Sequence, residues 1–129
     1  MRFLPFLLLL SCNPPPTDLG DAQTVTPTTL QGYLGRHVTV TGTPTPTRVV
    51  EHGPPGETCR LFYLMGNRKL FVDDCSSRVP EPVEGTPSFT GRLMLFSTLP
   101  QASDLSAYYR DHFAIKVVPE TTYVIIPDS

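Results

Sequence analysis

Three cysteines and three histidines are the side chains of this 129-residue chain best suited to metal binding or covalent chemistry. Cys12, Cys59 and Cys75 contain no C-x-x-C pair, and His37, His52 and His112 form neither H-x-H nor H-x-x-x-H. Such spacings bring two ligands to one side of a turn or helix, so no metal site is expected. Two neighbouring pairs invite an acid–base reading, Glu51-His52 and Asp111-His112. The first closes a strand-like run, where adjacent side chains point to opposite faces and do not meet. The second falls on an amphipathic helix with no nucleophile marked beside it. No G-x-S-x-G, H-E-x-x-H or phosphate-binding glycine loop occurs. The expectation is a chain with no catalytic residues and no cofactor. An enzyme built on it would need a site dispersed beyond what sequence marks.

Cys59 and Cys75 have a different chemistry open to them. Cys59-Arg60-Leu61-Phe62-Tyr63-Leu64-Met65 and Lys69-Leu70-Phe71-Val72-Asp73-Asp74-Cys75 read as two strands, with Gly66-Asn67-Arg68 between them. Glycine and asparagine tolerate the positive φ of a tight hairpin. A loop centred on Asn67 sets Leu64 opposite Leu70, Tyr63 opposite Phe71, Phe62 opposite Val72, Leu61 opposite Asp73 and Arg60 opposite Asp74. Cys59 then falls opposite Cys75. Opposed residues of a non-hydrogen-bonded antiparallel pair are close enough for a disulfide. The alternative is a pair of free, buried thiols.

The third cysteine sits in a different setting. Arg2 precedes an apolar run, Phe3 to Leu10, which closes on Leu9-Leu10-Ser11-Cys12. A positive residue, an apolar stretch and a small residue before a cut are the parts of a secretory signal. With cysteine at the next position, the motif resembles the lipobox of bacterial lipoproteins. That resemblance implies cleavage before Cys12, acylation of Cys12, and anchorage in the cell envelope on the outer membrane, periplasmic or surface-facing. The apolar run is too short to span a bilayer, which needs about 20 residues. Export to an oxidising compartment also favours the Cys59–Cys75 bridge.

The elements that carry these residues follow from composition and period. Residues 1–11 read as signal peptide. Residues 12–27 begin Cys12-Asn13-Pro14-Pro15-Pro16 and are poor in apolar residues, so they read as a Pro-rich tether that could hold a domain some 40 Å from the bilayer. Residues 28–129 read as one small β-domain. Leu30, Tyr33 and Leu34 have the spacing of one helical turn capped by Thr28 or Thr29 and ended at Gly35. Residues 36–43 alternate, with Val38 and Val40 inward. Pro44 and Pro46 place the next segment at an edge or a bend, where strand addition by a partner is conceivable. Strands are also expected over 47–51, 88–97, 113–118 and 121–126. A short helix is expected over 104–113 with Ser103 as its N-cap. Thr90-Gly91 echoes Thr41-Gly42, as in two strands bent at a glycine.

Tyr33-Leu34-Gly35-Arg36-His37-Val38-Thr39-Val40-Thr41-Gly42-Thr43 resembles the first strand of OB-fold domains of exported bacterial proteins. The expected class is therefore mainly β: a small OB-like barrel of five to six strands with one or two short helices. The helix over 104–113 comes after the fourth expected barrel strand, whereas OB folds place theirs between strands three and four. The resemblance implies a binding face on the barrel, for which Tyr63, Phe71 and Phe96 are candidates, although such aromatics more often fill a core. The chain carries a formal charge of −2. Loss of Arg2 leaves nine basic against twelve acidic groups, −3, which disfavours nucleic acid as a partner. The functional expectation is a non-catalytic binding or assembly module, joined to the membrane by its lipid and to an envelope protein partner. The alternative is a purely structural scaffold.

Overall fold

The computed structural model describes residues 15–45, 60–74 and 87–128. Cys12, Cys59, Cys75, the leader and the strand expected over 47–51 lie outside the described residues. The described fold is mainly β. Six strands form one mixed sheet: β1 (Thr17–Asp21), β2 (His37–Thr41), β3 (Arg60–Leu64), β4 (Asn67–Asp74), β5 (Ser88–Leu95) and β6 (Tyr123–Pro127). Their spatial order is β1-β2-β5-β6-β4-β3. The β1–β2 and β4–β6 pairs are parallel and the others antiparallel. Two α-helices accompany them, α1 (Pro27–Gln31) and α2 (Ala102–Phe113).

The sheet is not closed into a barrel. Beyond β2, however, Pro44 makes an antiparallel bridge to Leu64 of β3. The Thr45 N–H donates to the Tyr63 carbonyl (3.2 Å) and the Met65 N–H to the Thr43 carbonyl (2.7 Å). The edge expected near Pro44 is therefore occupied by this chain's own β3.

The alternation of β2 behaves as expected, with Val38 and Val40 fully buried. They join Phe62, Leu64, Leu70, Val72, Phe89, Leu93 and Ile125 in a first core, sealed by Ala22, Val25 and Leu30. A second core lies on the opposite face of β3, β4 and β6. There Leu61, Phe71 and Val124 pack against Phe96, Leu105 and Tyr109, with Ile115 and Val117 alongside. Both faces of β3, β4 and β6 are thus covered, whereas the outer residues of β2 and β5 alternate with buried ones and stay part-exposed.

Four expectations are corrected. First, the segment expected to be tether holds a strand, β1 (Thr17–Asp21), paired with β2. β1 needs little apolar content because it is an edge strand; Leu19 alone packs against the first core. Gly20 takes a φ of 83° at a bulge, where its N–H meets the Asp18 carboxylate at 2.8 Å. Second, the hairpin register matches from Arg60↔Asp74 through Tyr63↔Phe71, but Leu64 pairs with Asn67 rather than Leu70. Asn67 is drawn inward: its amide donates to the Ala22 and Val25 carbonyls at 2.8 and 2.9 Å, and its side-chain oxygen accepts from the Lys69 N–H at 3.0 Å. Gly66, with a φ of 93°, carries the turn instead.

Third, residues 114–118 form no strand. Ala114 leaves α2 in the left-handed region (φ 53°), and Ile115 and Val117 alternate into the second core without a ladder partner. Fourth, neither expected cap is the one used. Gln101 stands at the start of α2, and Thr26 caps α1, its hydroxyl accepting from the Thr29 N–H at 3.3 Å. Pro27 then sits at the first helical position, where its missing N–H costs nothing.

Candidate functional site

The aromatic candidates do not form a surface site. Phe71 and Phe96 are fully buried, and their rings meet edge to face at 5.3 Å. Tyr63 is half-buried, 5.9 Å from Phe71, with the Arg68 guanidinium over its ring. The reason is α2. It lies across this face of the sheet and packs Tyr109 edge to face on Phe71 of β4, ring centres 5.0 Å apart. The Tyr109 hydroxyl donates to the Leu61 carbonyl. Burial, then the proximity of Tyr108 and Tyr63, pushes the Tyr109 phenol well above its ordinary value. Asp111-His112 does not make a catalytic pair either. Asp111 bonds Arg110 at 3.0 Å, which holds its carboxyl below the usual range, and His112 stacks on Tyr108 at 4.2 Å.

The uncovered face of β2 and β5 carries a different set of side chains. His37 stands directly across from Arg92, and Arg92 from Ile126. Beside this row, the Thr39 and Thr90 hydroxyls share a hydrogen bond of 2.8 Å. The even spacing of strands places all of these on the outward side, opposite Val38 and Leu93. At the end of the row lies a surface groove of about 580 Å³, lined by Pro15, Pro16, Thr17, Arg36, His37, Arg92 and Asp128. A second hollow of about 300 Å³ shares His37, Arg92 and Asp128 and adds Met94, Ile126 and Pro127.

The charges in this groove are ordered. His37 Nε2 lies 2.8 Å from Asp128 Oδ1, tying the start of β2 to the residue after β6. Arg92 donates one N–H to the Gly35 carbonyl at 2.9 Å. That carbonyl is presented by a turn in which Gly35 has a φ of 82° and its own N–H bonds the Leu93 carbonyl. The Arg36 guanidinium sits over the Tyr33 ring, 5.4 Å from its centre. Two guanidiniums and an imidazole against one carboxylate give a net charge of about +1 with neutral His37 and +2 with His37 protonated.

Chemically, the groove suits an anion. A guanidinium offers five N–H donors in a planar fork that matches carboxylate or phosphate oxygens. Acyl-transfer chemistry would need a nucleophile held by the histidine. Thr17 is the one hydroxyl on the groove wall among the described residues, and no hydrogen bond joins it to His37. No group of three metal-ligating side chains forms among the described residues, and no described helix is long and apolar enough to cross a membrane.

Sequence reasoning missed all four charged groove residues. One signal was available for two of them: His37 and Arg92 occupy the outward parity of strands whose inward positions were legible. Arg36 and Asp128 follow from turn geometry and from the β5–β6 register, which sequence spacing does not fix. No protein-family model, no curated protein and no solved structure matches this chain.

Proposed function

We propose that this chain is a lipid-anchored lipoprotein of the bacterial cell envelope, on the outer membrane, whose β-domain is a non-catalytic binding module for an anionic group. The observation that carries the binding assignment is the Arg36–Arg92–His37 groove on the β2–β5 part of the outer sheet face, which α2 leaves open. The anchor rests on Leu9-Leu10-Ser11-Cys12. The domain is read as an OB-like barrel of β2 to β6 with β1 added at an edge. The Pro44↔Leu64 bridge supports this, since it returns the chain after β2 to the far edge of the sheet. The binding face differs from the one such barrels offer on their second and third strands, because α2 fills that place.

The Arg60↔Asp74 register also supports a Cys59–Cys75 disulfide. A bridge across a loop of this size is worth about 3 kcal/mol in the chain-entropy model.

Intact-mass measurement of the protein purified from envelopes tests both covalent claims. The expected result is an acylated Cys12 and no alkylation of Cys59 or Cys75 without reductant. An uncut chain that keeps Met1 would overturn the anchor, and two alkylated thiols would overturn the bridge. Crosslinking from Arg36 or Arg92 in native envelopes then reads the groove's occupant. A single recurrent protein on that face, with no bound anion, would favour a scaffold instead.

A further inference from the structure

The groove lies at the very point where the chain enters the domain, and this limits what can reach it. Pro15 and Pro16 form part of its wall, and Cys12 stands three residues before Pro15. Consecutive Cα atoms are 3.8 Å apart, so the Cys12 Cα lies within about 11 Å of the Pro15 Cα whatever path the chain takes. A tether through residue 27 would have left the domain some 40 Å of slack. Pairing of Thr17 with Val38 removes most of it.

We propose that the Arg36–Arg92–His37 groove seats the phosphate of an anionic phospholipid headgroup, so that the β1–β2–β5 end of the domain rests on the bilayer. This deepens the binding assignment and rests on acylation of Cys12. The charge fits. Arg36 and Arg92 are exposed cations in a chain whose formal charge is −2. Apart from the Arg92 bond to Gly35 and the Arg36–Tyr33 stack, their donors have no partner among the described residues. Asp128 is the opposing charge, and His37 engages it. The apolar content fits as well. Ile126 is 37% exposed, one of three large hydrophobic side chains left open among the described residues. It lines the adjoining hollow with Met94. Cations beside exposed apolar side chains are the composition of a surface that lies in the headgroup layer.

The test uses the acylated protein reconstituted in nanodiscs that carry a gadolinium-labelled headgroup lipid. One set is phosphatidylcholine alone and the other contains one-fifth phosphatidylglycerol. The expected result is paramagnetic broadening of the Arg36, His37 and Arg92 amides in the anionic discs and its loss in the neutral ones. Arg36→Gln and Arg92→Gln should each lower the seated-to-free ratio about 5-fold. Equal broadening in both disc types, or none at this end of the domain, would overturn the proposal. So would inorganic phosphate shifting the Arg36 and Arg92 side-chain resonances in anionic discs without that broadening, which marks a soluble-anion site. The lipid comparison on the wild-type protein decides the matter even if a variant fails to fold. Intact mass read beforehand separates the two claims: an unacylated Cys12 refutes the anchor, whereas an acylated protein with no broadening refutes the seat alone.

Discussion

Gly91 has no room for a side chain. A Cβ built there would lie 2.2 Å from the Ile126 carbonyl oxygen and 2.7 Å from the Pro127 Cα. These are backbone atoms of β6, so relief requires moving a strand rather than turning a rotamer. Gly91→Ala should lower the unfolding free energy by about 3 kcal/mol or more, read from the urea midpoint. A loss under about 1 kcal/mol would show that β5 and β6 part easily. Tyr109 gives the second residue-scale prediction. Its phenol keeps its proton in the folded state, whereas the unfolded chain releases it near the ordinary value of 10.0. The unfolded state therefore binds fewer protons above that pH. The stability from neutral Tyr109 is complete below pH 10 and is lost as pH rises past it. Tyr109→Phe should cost about 1–2 kcal/mol at neutral pH, by loss of the bond to Leu61, and should flatten the alkaline decline. Denaturation midpoints at pH 7, 9 and 11 check this, and parallel declines in both proteins would count against it.

At the scale of elements, α2 decides which part of the outer sheet face is free. It occupies the outer side of β3, β4 and β6 and leaves the β2–β5 row of His37, Thr39, Thr90 and Arg92 to solvent. Its C-terminus is strained, because Ala114 adopts a φ of 53°. Glycine carries no Cβ penalty there, so Ala114→Gly should raise stability by about 1 kcal/mol, seen as a higher melting temperature. An unchanged or lower value would mean that the Ala114 methyl makes compensating contacts. The periodic elements were legible in the sequence. Val38 and Val40 alternate against threonines, and Leu105 and Tyr109 keep helical spacing. Elements defined by a distant partner were not legible. Thr17–Asp21 holds one inward apolar residue, and only pairing with β2 makes it a strand. Asn67 read as a turn residue because its partners, Ala22 and Val25, lie more than 40 positions away. The groove was illegible for the same reason, since its four charges come from three separate stretches of chain.

At the scale of the molecule, the strand order has a consequence for how the chain can be made. β6 is the last strand in sequence, yet it lies inside the sheet between β5 and β4. Without it, the described strands form two ribbons, β1-β2-β5 and β4-β3, whose backbones meet beside the Pro44↔Leu64 bridge and whose shared core loses Tyr123 and Ile125. A chain ending before Tyr123 should therefore fail to fold. Its amide protons should exchange as in an unfolded chain, and protection of β3 and β4 in such a truncation would disprove this. Synthesis proceeds from the N-terminus at about 5–20 residues per second, so the central strand emerges after the five described strands it holds together. Strands on both sides of β6 thus wait for a later stretch of chain before they can join.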